Sequence, residues 1–134
     1  MPKVFTSENQ KIGEIGEKLA CKYLIKQGFK IIDRNYTKKC GEIDIIGEKK
    51  NKLYFFEVKT NSANLSVTHE TNDGYRPEEN VHPWKIKRLS TTIQVYLLEK
   101  NIPDDREWEF GVIAVYLDLK NNLAKIKILD NVIL

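Results

Sequence analysis

Two apolar segments, Gly41 to Glu48 and Leu53 to Thr60, flank the polar stretch Lys49-Lys50-Asn51-Lys52. This arrangement constrains the fold more than any other feature of the chain. Runs of Ile, Phe and Val joined by a short polar turn read as a β-hairpin. An even loop centred on Lys50-Asn51 pairs residues whose numbers sum to 101. Asp44 is then expected opposite Glu57, and Glu42 opposite Lys59. Side chains alternate along a strand, so these four are expected on one face. Opposed Cβ atoms lie ~4.5–5.5 Å apart, and like charges held so repel. Two carboxylates among Ile, Phe and Val call for a compensating charge. Hard oxygen ligands at this separation suit a divalent cation, Mg²⁺ or Mn²⁺. Lys59 is expected on the same side, within reach of a water or a phosphate. An ordinary hairpin with a solvated face and Glu42–Lys59 pairing would use the same residues without metal, and a slip of one residue would turn every side chain over.

The remaining elements follow from periodicity and punctuation. Ser7 and Gln10 form a capping box ahead of a helix over residues 8 to 27, with Ile12, Ile15, Leu19 and Tyr23 as its apolar stripe and Gly28 as its stop. Phe29 to Tyr36 reads as a strand. Residues 61 to 80 are polar and read as a long loop, a length that in a small domain is often functional. Pro83 opens a second helix carrying Ile86, Leu89, Ile93 and Leu97. Trp108 to Leu119 and Leu123 to Leu134 read as two further strands. The predicted fold is a single α/β domain over 1–134, a mixed β-sheet flanked by helices in the order α-β-β-β-α-β-β.

Charge excludes little. Lysine and arginine number 22 against 19 acids, a formal charge of +3. That excess is too small to identify a nucleic-acid partner by itself. No apolar run reaches the ~18–20 residues of a membrane span, and Met1-Pro2-Lys3-Val4-Phe5 leads into no signal-peptide core. Cys21 and Cys40 form no CxxC pair, and with His69 and His82 they make a poor zinc set. A reduced, cytoplasmic setting is expected.

The acid-x-lysine pattern occurs three times, as Glu48-x-Lys50, Glu57-x-Lys59 and Asp118-x-Lys120. Only Glu57-x-Lys59 lies in an apolar strand with an acid expected across from it. On the first helix, Gly13, Gly16 and Ala20 form a small-residue strip. Each helix glycine costs ~1 kcal/mol relative to alanine, so close approach to the sheet is the expected reason. Glu17 borders that strip and is expected to reach the Asp44–Glu57 face, while Glu14 points to solvent with Lys18. Lys85 and Arg88, with Thr92, follow helical spacing and are candidate nucleic-acid contacts; taken alone they read first as a solvated face. Tyr75 and Arg76 could clamp a nucleotide, and Trp84 and Trp108 read as core anchors.

These residues resemble the PD-(D/E)xK nuclease superfamily, and within it the YraN family of small bacterial proteins, predicted endonucleases similar to archaeal Holliday-junction resolvases. The matching stretches are Gly13-x-x-Gly16-Glu17-x-x-Ala20, Tyr23-Leu24 with Gly28, Arg34-Asn35, Gly41-Glu42-Ile43-Asp44, Phe55-Phe56-Glu57-Val58-Lys59, and Lys85 ahead of Leu89 and Tyr96-Leu97. They span about residues 12 to 116 in the family's order. The resemblance implies a restriction-endonuclease-like core and a catalytic set of Glu17, Asp44, Glu57 and Lys59. Asp44, Glu57, a carbonyl near Val58 and Glu17 would ligate the metal. It implies metal-dependent hydrolysis of DNA phosphodiesters, branched or single-stranded, and a two-fold dimer suits a resolvase-like role. Two positions depart from the family pattern. Asn61 stands where an arginine is common, and Glu109-Phe110-Gly111 replaces Arg-Phe-Asp. The alternative is a non-catalytic nucleic-acid-binding module with the same fold.

Overall fold

The computed structural model describes residues 8–65 and 83–129. In chain order the elements are α1 (Glu8–Lys26), β1 (Lys30–Lys38), β2 (Gly41–Lys49), β3 (Lys52–Ser62), α2 (Pro83–Glu99), β4 (Trp108–Asp118) and β5 (Leu123–Leu129). This is the predicted order. One sheet runs β1-β2-β3-β4-β5. The β3–β4 pair is parallel and the other three pairs are antiparallel, so the fold is a mixed-sheet α/β domain.

Local chemistry explains the joints. Lys50 and Asn51 take φ of 50° and 62°, the left-handed pair that closes a two-residue hairpin with the twist of its strands. At the end of α1, Gly28 takes φ 96°. The Gly28 N–H reaches the Ile25 carbonyl at 3.0 Å and the Phe29 N–H reaches that of Leu24 at 2.9 Å, the paired bonds of a Schellman cap.

Each helix covers one face of the sheet. Under α2, Ile46, Leu53, Phe55 and Phe110 pack with Leu89, Ile93 and Tyr96. Under α1, Ile45, Phe56, Ile113 and Val115 pack with Ala20, Cys21 and Leu24. Trp108 packs against the α2-side cluster as expected, edge-on to Phe55 at 5.6 Å. Cys21 and Cys40 are free thiols. Among the described residues no helix is long and apolar enough to cross a membrane.

Two expectations shift. The predicted stripe of α1 is buried only in part: Ile12 and Leu19 pack against the α1-side cluster, but Ile15 is 39% exposed, and the fully buried residues are Ala20 and Leu24. Gly16 and Ala20 of the small-residue strip face the sheet, because small residues let the helix backbone come close. The third strand runs two residues past Thr60, because the parallel ladder with β4 continues through Asn61↔Tyr116 and Ser62↔Leu117; those two residues are strand and not loop. The last strand ends its described course at Leu129. Most of the long loop, with His69, Tyr75, Arg76 and His82, lies outside the described residues, as do residues 130–134 and the side chain of Trp84.

Asp118, the acid of one acid-x-lysine match, is structural. It is 4% exposed. Its carboxylate accepts from the Leu65 N–H at 2.9 Å, the Asn121 N–H at 3.1 Å and the Asn121 side-chain amide at 2.8 Å. Asp118→Ala leaves these donors without their acceptor, so urea unfolding is expected to show a loss of about 1–3 kcal/mol.

Candidate metal centre

The hairpin obeys the predicted register from Lys49↔Lys52 to Ile45↔Phe56, where the ladder stops. Asp44 and Glu57 are therefore not a ladder pair, contrary to the sequence expectation. Instead β2 and β3 part. The Asp44 carboxylate reaches across the opening, and its Oδ2 accepts the Val58 N–H at 2.8 Å. Glu57 follows Phe56 at the fork and is 7% exposed. Lys59 Nζ lies 3.9 Å from Glu57 Oε1.

The predicted Glu42–Lys59 pairing is not formed. Glu42 lies across from Thr37 of β1, whose hydroxyl is 2.9 Å from Glu42 Oε2. Nor do the four residues share a face by simple alternation. Ile43 packs under α2 and Ile45 under α1, so β2 turns over at Asp44.

Glu17 arrives from α1. A Cβ at Gly16 would fall 2.8 Å from Thr60 Cβ and closer still to its hydroxyl, whereas one at Gly13 would meet nothing within 4 Å. Close approach thus explains Gly16 and not Gly13. Gly16→Ala is expected to push α1 off β3 and destabilise by about 1–3 kcal/mol. Gly13→Ala is expected to stabilise by up to about 1 kcal/mol. Chemical denaturation of the two variants checks the opposite signs.

Glu17, and not Glu14, faces the centre. Its Oε1 is 3.8 Å from Arg34 Nη2, while Glu14 is paired with Lys18 on the outer surface at 3.8 Å. Burial raises the Glu17 carboxyl, the nearby Glu42 charge adds to this, and Arg34 and the Asn35 side chain oppose it. Asp44 is pushed up to about 8. Burial is the main cause, the Val58 N–H opposes it, and the charges of Glu17, Glu57 and Glu42 add to it. Asp44 is thus the common neighbour of Glu17 and Glu57. Among the described residues no three His, Cys, Asp or Glu side chains converge as a closed cage. Asp44, Glu57 and Glu17, with the β3 backbone beside them, form an open acidic centre.

The structure also sorts the remaining candidates. Glu48 is taken by Arg106 in an ion pair that clamps the hairpin turn, and Lys50 is a turn residue. Arg88 is exposed, and its Nε donates to the Cys40 carbonyl at 3.0 Å, bracing the β1–β2 turn. The Lys85 side chain lies outside the described residues. Sequence reasoning assigned no role to Arg34 or Asn35, both of which border the centre. The usable signal was an asparagine inside a strand, since asparagine is enriched in left-handed backbone.

The model of the uncharacterised protein family UPF0102 matches residues 16–115. The chain belongs to the UPF0102 family. A UPF0102 protein of Caldanaerobacter subterraneus subsp. tengcongensis is 37% identical over 108 residues, covering 80% of this chain and 80% of its own. One from Clostridium tetani is 35% identical over 125 residues, covering 93% and 95%. One from Clostridium botulinum strain 657 is 34% identical over 123 residues, covering 92% and 94%. The span matched by the UPF0102 model includes Glu17, Asp44, Glu57 and Lys59.

Proposed function

We propose that this UPF0102 protein is a metal-dependent nuclease with a restriction-endonuclease-like core, of the PD-(D/E)xK kind, that hydrolyses DNA phosphodiesters. The observation that carries the reading is the fork: Asp44 bonded to the Val58 N–H at 2.8 Å, with Glu57 and Lys59 flanking Val58. The donor set fits Mg²⁺ or Mn²⁺, because carboxylates and a backbone carbonyl are hard oxygen ligands. Mutual repulsion among Asp44, Glu17 and Glu57 is what a divalent ion would relieve. Asp44, Glu57 and the Val58 carbonyl would hold it, with Glu17 as a further ligand.

When bound, the ion supplies Lewis-acid stabilisation of charge on the phosphate. Lys59 would orient or deprotonate the attacking water, or neutralise the phosphate. The partly buried setting strengthens each of these interactions. Arg88, exposed on α2, and Lys85 on the same helix would meet the DNA backbone.

A second reading, a DNA-binding module without turnover, is favoured by the surroundings of Gly111. A Cβ there would lie 2.9 Å from the Leu129 carbonyl and 3.0 Å from the Phe56 ring, so the acid common at this position has no room. The experiment is cleavage of branched, flapped and single-stranded DNA with Mg²⁺ or Mn²⁺. Salt-sensitive DNA retardation with no cleavage under either ion would select the second reading.

A further inference from the structure

Past the fork, β3 continues beside β4 and β5, and the ladders fix which residues share a face. Ile113, Val115, Ile126 and Ile128 pack under α1. Alternation then puts Ala114, Tyr116, Lys125 and Lys127 on the α2 side. Glu57 pairs with Val112, which packs under α2, while Val58 packs under α1. Glu57, Lys59 and Asn61 therefore belong to the α2 side as well. Two rungs cross all three strands. One joins Lys59, Ala114 and Lys127, and the next joins Asn61, Tyr116 and Lys125. Lys127 is thus two strands from Lys59, about 10 Å at the usual strand spacing. Lys125 stands two residues from Lys127, about 7 Å along β5. Both β5 lysines are exposed. Among the described residues of these three strands, the acids on this side are Glu57, which belongs to the centre, and Asp118, whose carboxylate is held by Leu65 and Asn121. On the other side of the fork, Arg88 is exposed where it braces the β1–β2 turn. Positive charge therefore flanks the acidic centre on both sides.

We infer that the α2-side surface of β4 and β5 is a track for the nucleic-acid backbone, with Lys127 and Lys125 as its phosphate contacts. The inference rests on the nuclease reading above, and it carries DNA from the acidic centre across β5 as well as over α2. Lysines on an edge strand also block pairing with another sheet. That role requires exposure alone. The rung shared with Lys59 is what directs these two toward the substrate.

The test compares the full chain carrying Lys125→Ala and Lys127→Ala with one carrying Lys18→Ala and Lys22→Ala. The second pair removes the same charge from exposed positions of α1. The probe is a fluorescently labelled four-way DNA junction, read by anisotropy in EDTA over a range of salt concentrations, so that no strand is cut. The logarithm of the association constant falls with the logarithm of salt by about 0.9 for each phosphate contact. The β5 variant is expected to bind more weakly and to lower that slope by about 2, whatever the sequence of the arms. The α1 variant is expected to keep the wild-type slope. Isothermal titration is expected to give the β5 variant an Mn²⁺ affinity close to wild type, since its loss is of DNA contacts and not of metal ligands. A β5 variant with the wild-type slope overturns the inference and leaves the two lysines as edge protection. An α1 variant that lowers the slope equally also overturns it, because net charge alone would then be at work. In both cases wild-type binding to the junction leaves the nuclease reading standing, with Arg88→Ala expected to lower the slope. Wild-type protein that does not bind the junction at low salt overturns both.

Discussion

Asp44→Ala and Lys59→Ala are each expected to reduce DNA cleavage by about 10²–10⁴-fold, for different reasons. Asp44 lies at the fork with its carboxylate on the Val58 N–H, so its loss removes a proposed metal ligand and an acceptor together. Mn²⁺ affinity and turnover should fall in parallel. Lys59 lies beside the proposed ligand Glu57, at 3.9 Å. Its loss should leave Mn²⁺ affinity at or slightly above wild type, because a neighbouring positive charge is gone, while turnover collapses. Lys59→Arg keeps the charge but cannot deprotonate at neutral pH, so rescue of turnover would assign Lys59 to the phosphate and failure to rescue would assign it to the water. Single-turnover cleavage with saturating Mn²⁺, paired with titration of the same samples, separates the two. Cleavage that survives both substitutions would place the active site elsewhere.

The second large effect is on stability, and its sign is unusual. The Asp44 carboxyl moves from 3.8 to about 8 on folding, chiefly through burial and then through its acidic neighbours. Between those values the folded state holds a proton that the unfolded chain releases. Stability without metal should therefore be greatest at low pH and should fall as pH rises toward 8, with a limiting slope near 1.4 kcal/mol per unit. The raised Glu17 carboxyl adds to the same trend. Asp44→Asn abolishes this component while its amide oxygen keeps an acceptor for the Val58 N–H. The variant should match or exceed wild type above pH 8, against the usual direction of a substitution. Mn²⁺ should reverse the effect in wild type, stabilising it by ~2.7 kcal/mol at 100 times its dissociation constant, and should do little for Asp44→Asn. Melts of both proteins from pH 5 to 9 at matched ionic strength, with and without Mn²⁺, read this out. Equal pH profiles, or equal metal shifts, would show that Asp44 is not the charge at issue.

Much of the architecture was legible in the sequence because its determinants are local. The order of elements follows from hydrophobic period and from Gly28, Pro83 and the Asn-containing turns. Hairpin register follows from the length of a turn whose two central residues are both left-handed. The choice of Glu17 over Glu14 came from helical spacing beside a small-residue strip, and Glu57-x-Lys59 stood out from its two rivals by its apolar strand. The rivals proved to be a hairpin clamp at Glu48 and a turn anchor at Asp118.

What a turn cannot encode is how far its ladder persists. Register sets which residues oppose each other near the loop. Where β2 and β3 separate depends on strand twist, on the pairing of β3 with β4, and on what each helix packs against. Those contacts join residues far apart in the chain. The separation after Ile45 and Phe56 converts an expected carboxylate pair into a carboxylate that bridges to a backbone N–H. The turn-over at Asp44 lets Ile43 and Ile45 serve opposite cores. The sequence by itself determined which chemical groups lie near the fork, because alternation and turn length place them there. The tertiary structure alone decided how they face one another, because that is set by two helices competing for the two sides of one sheet.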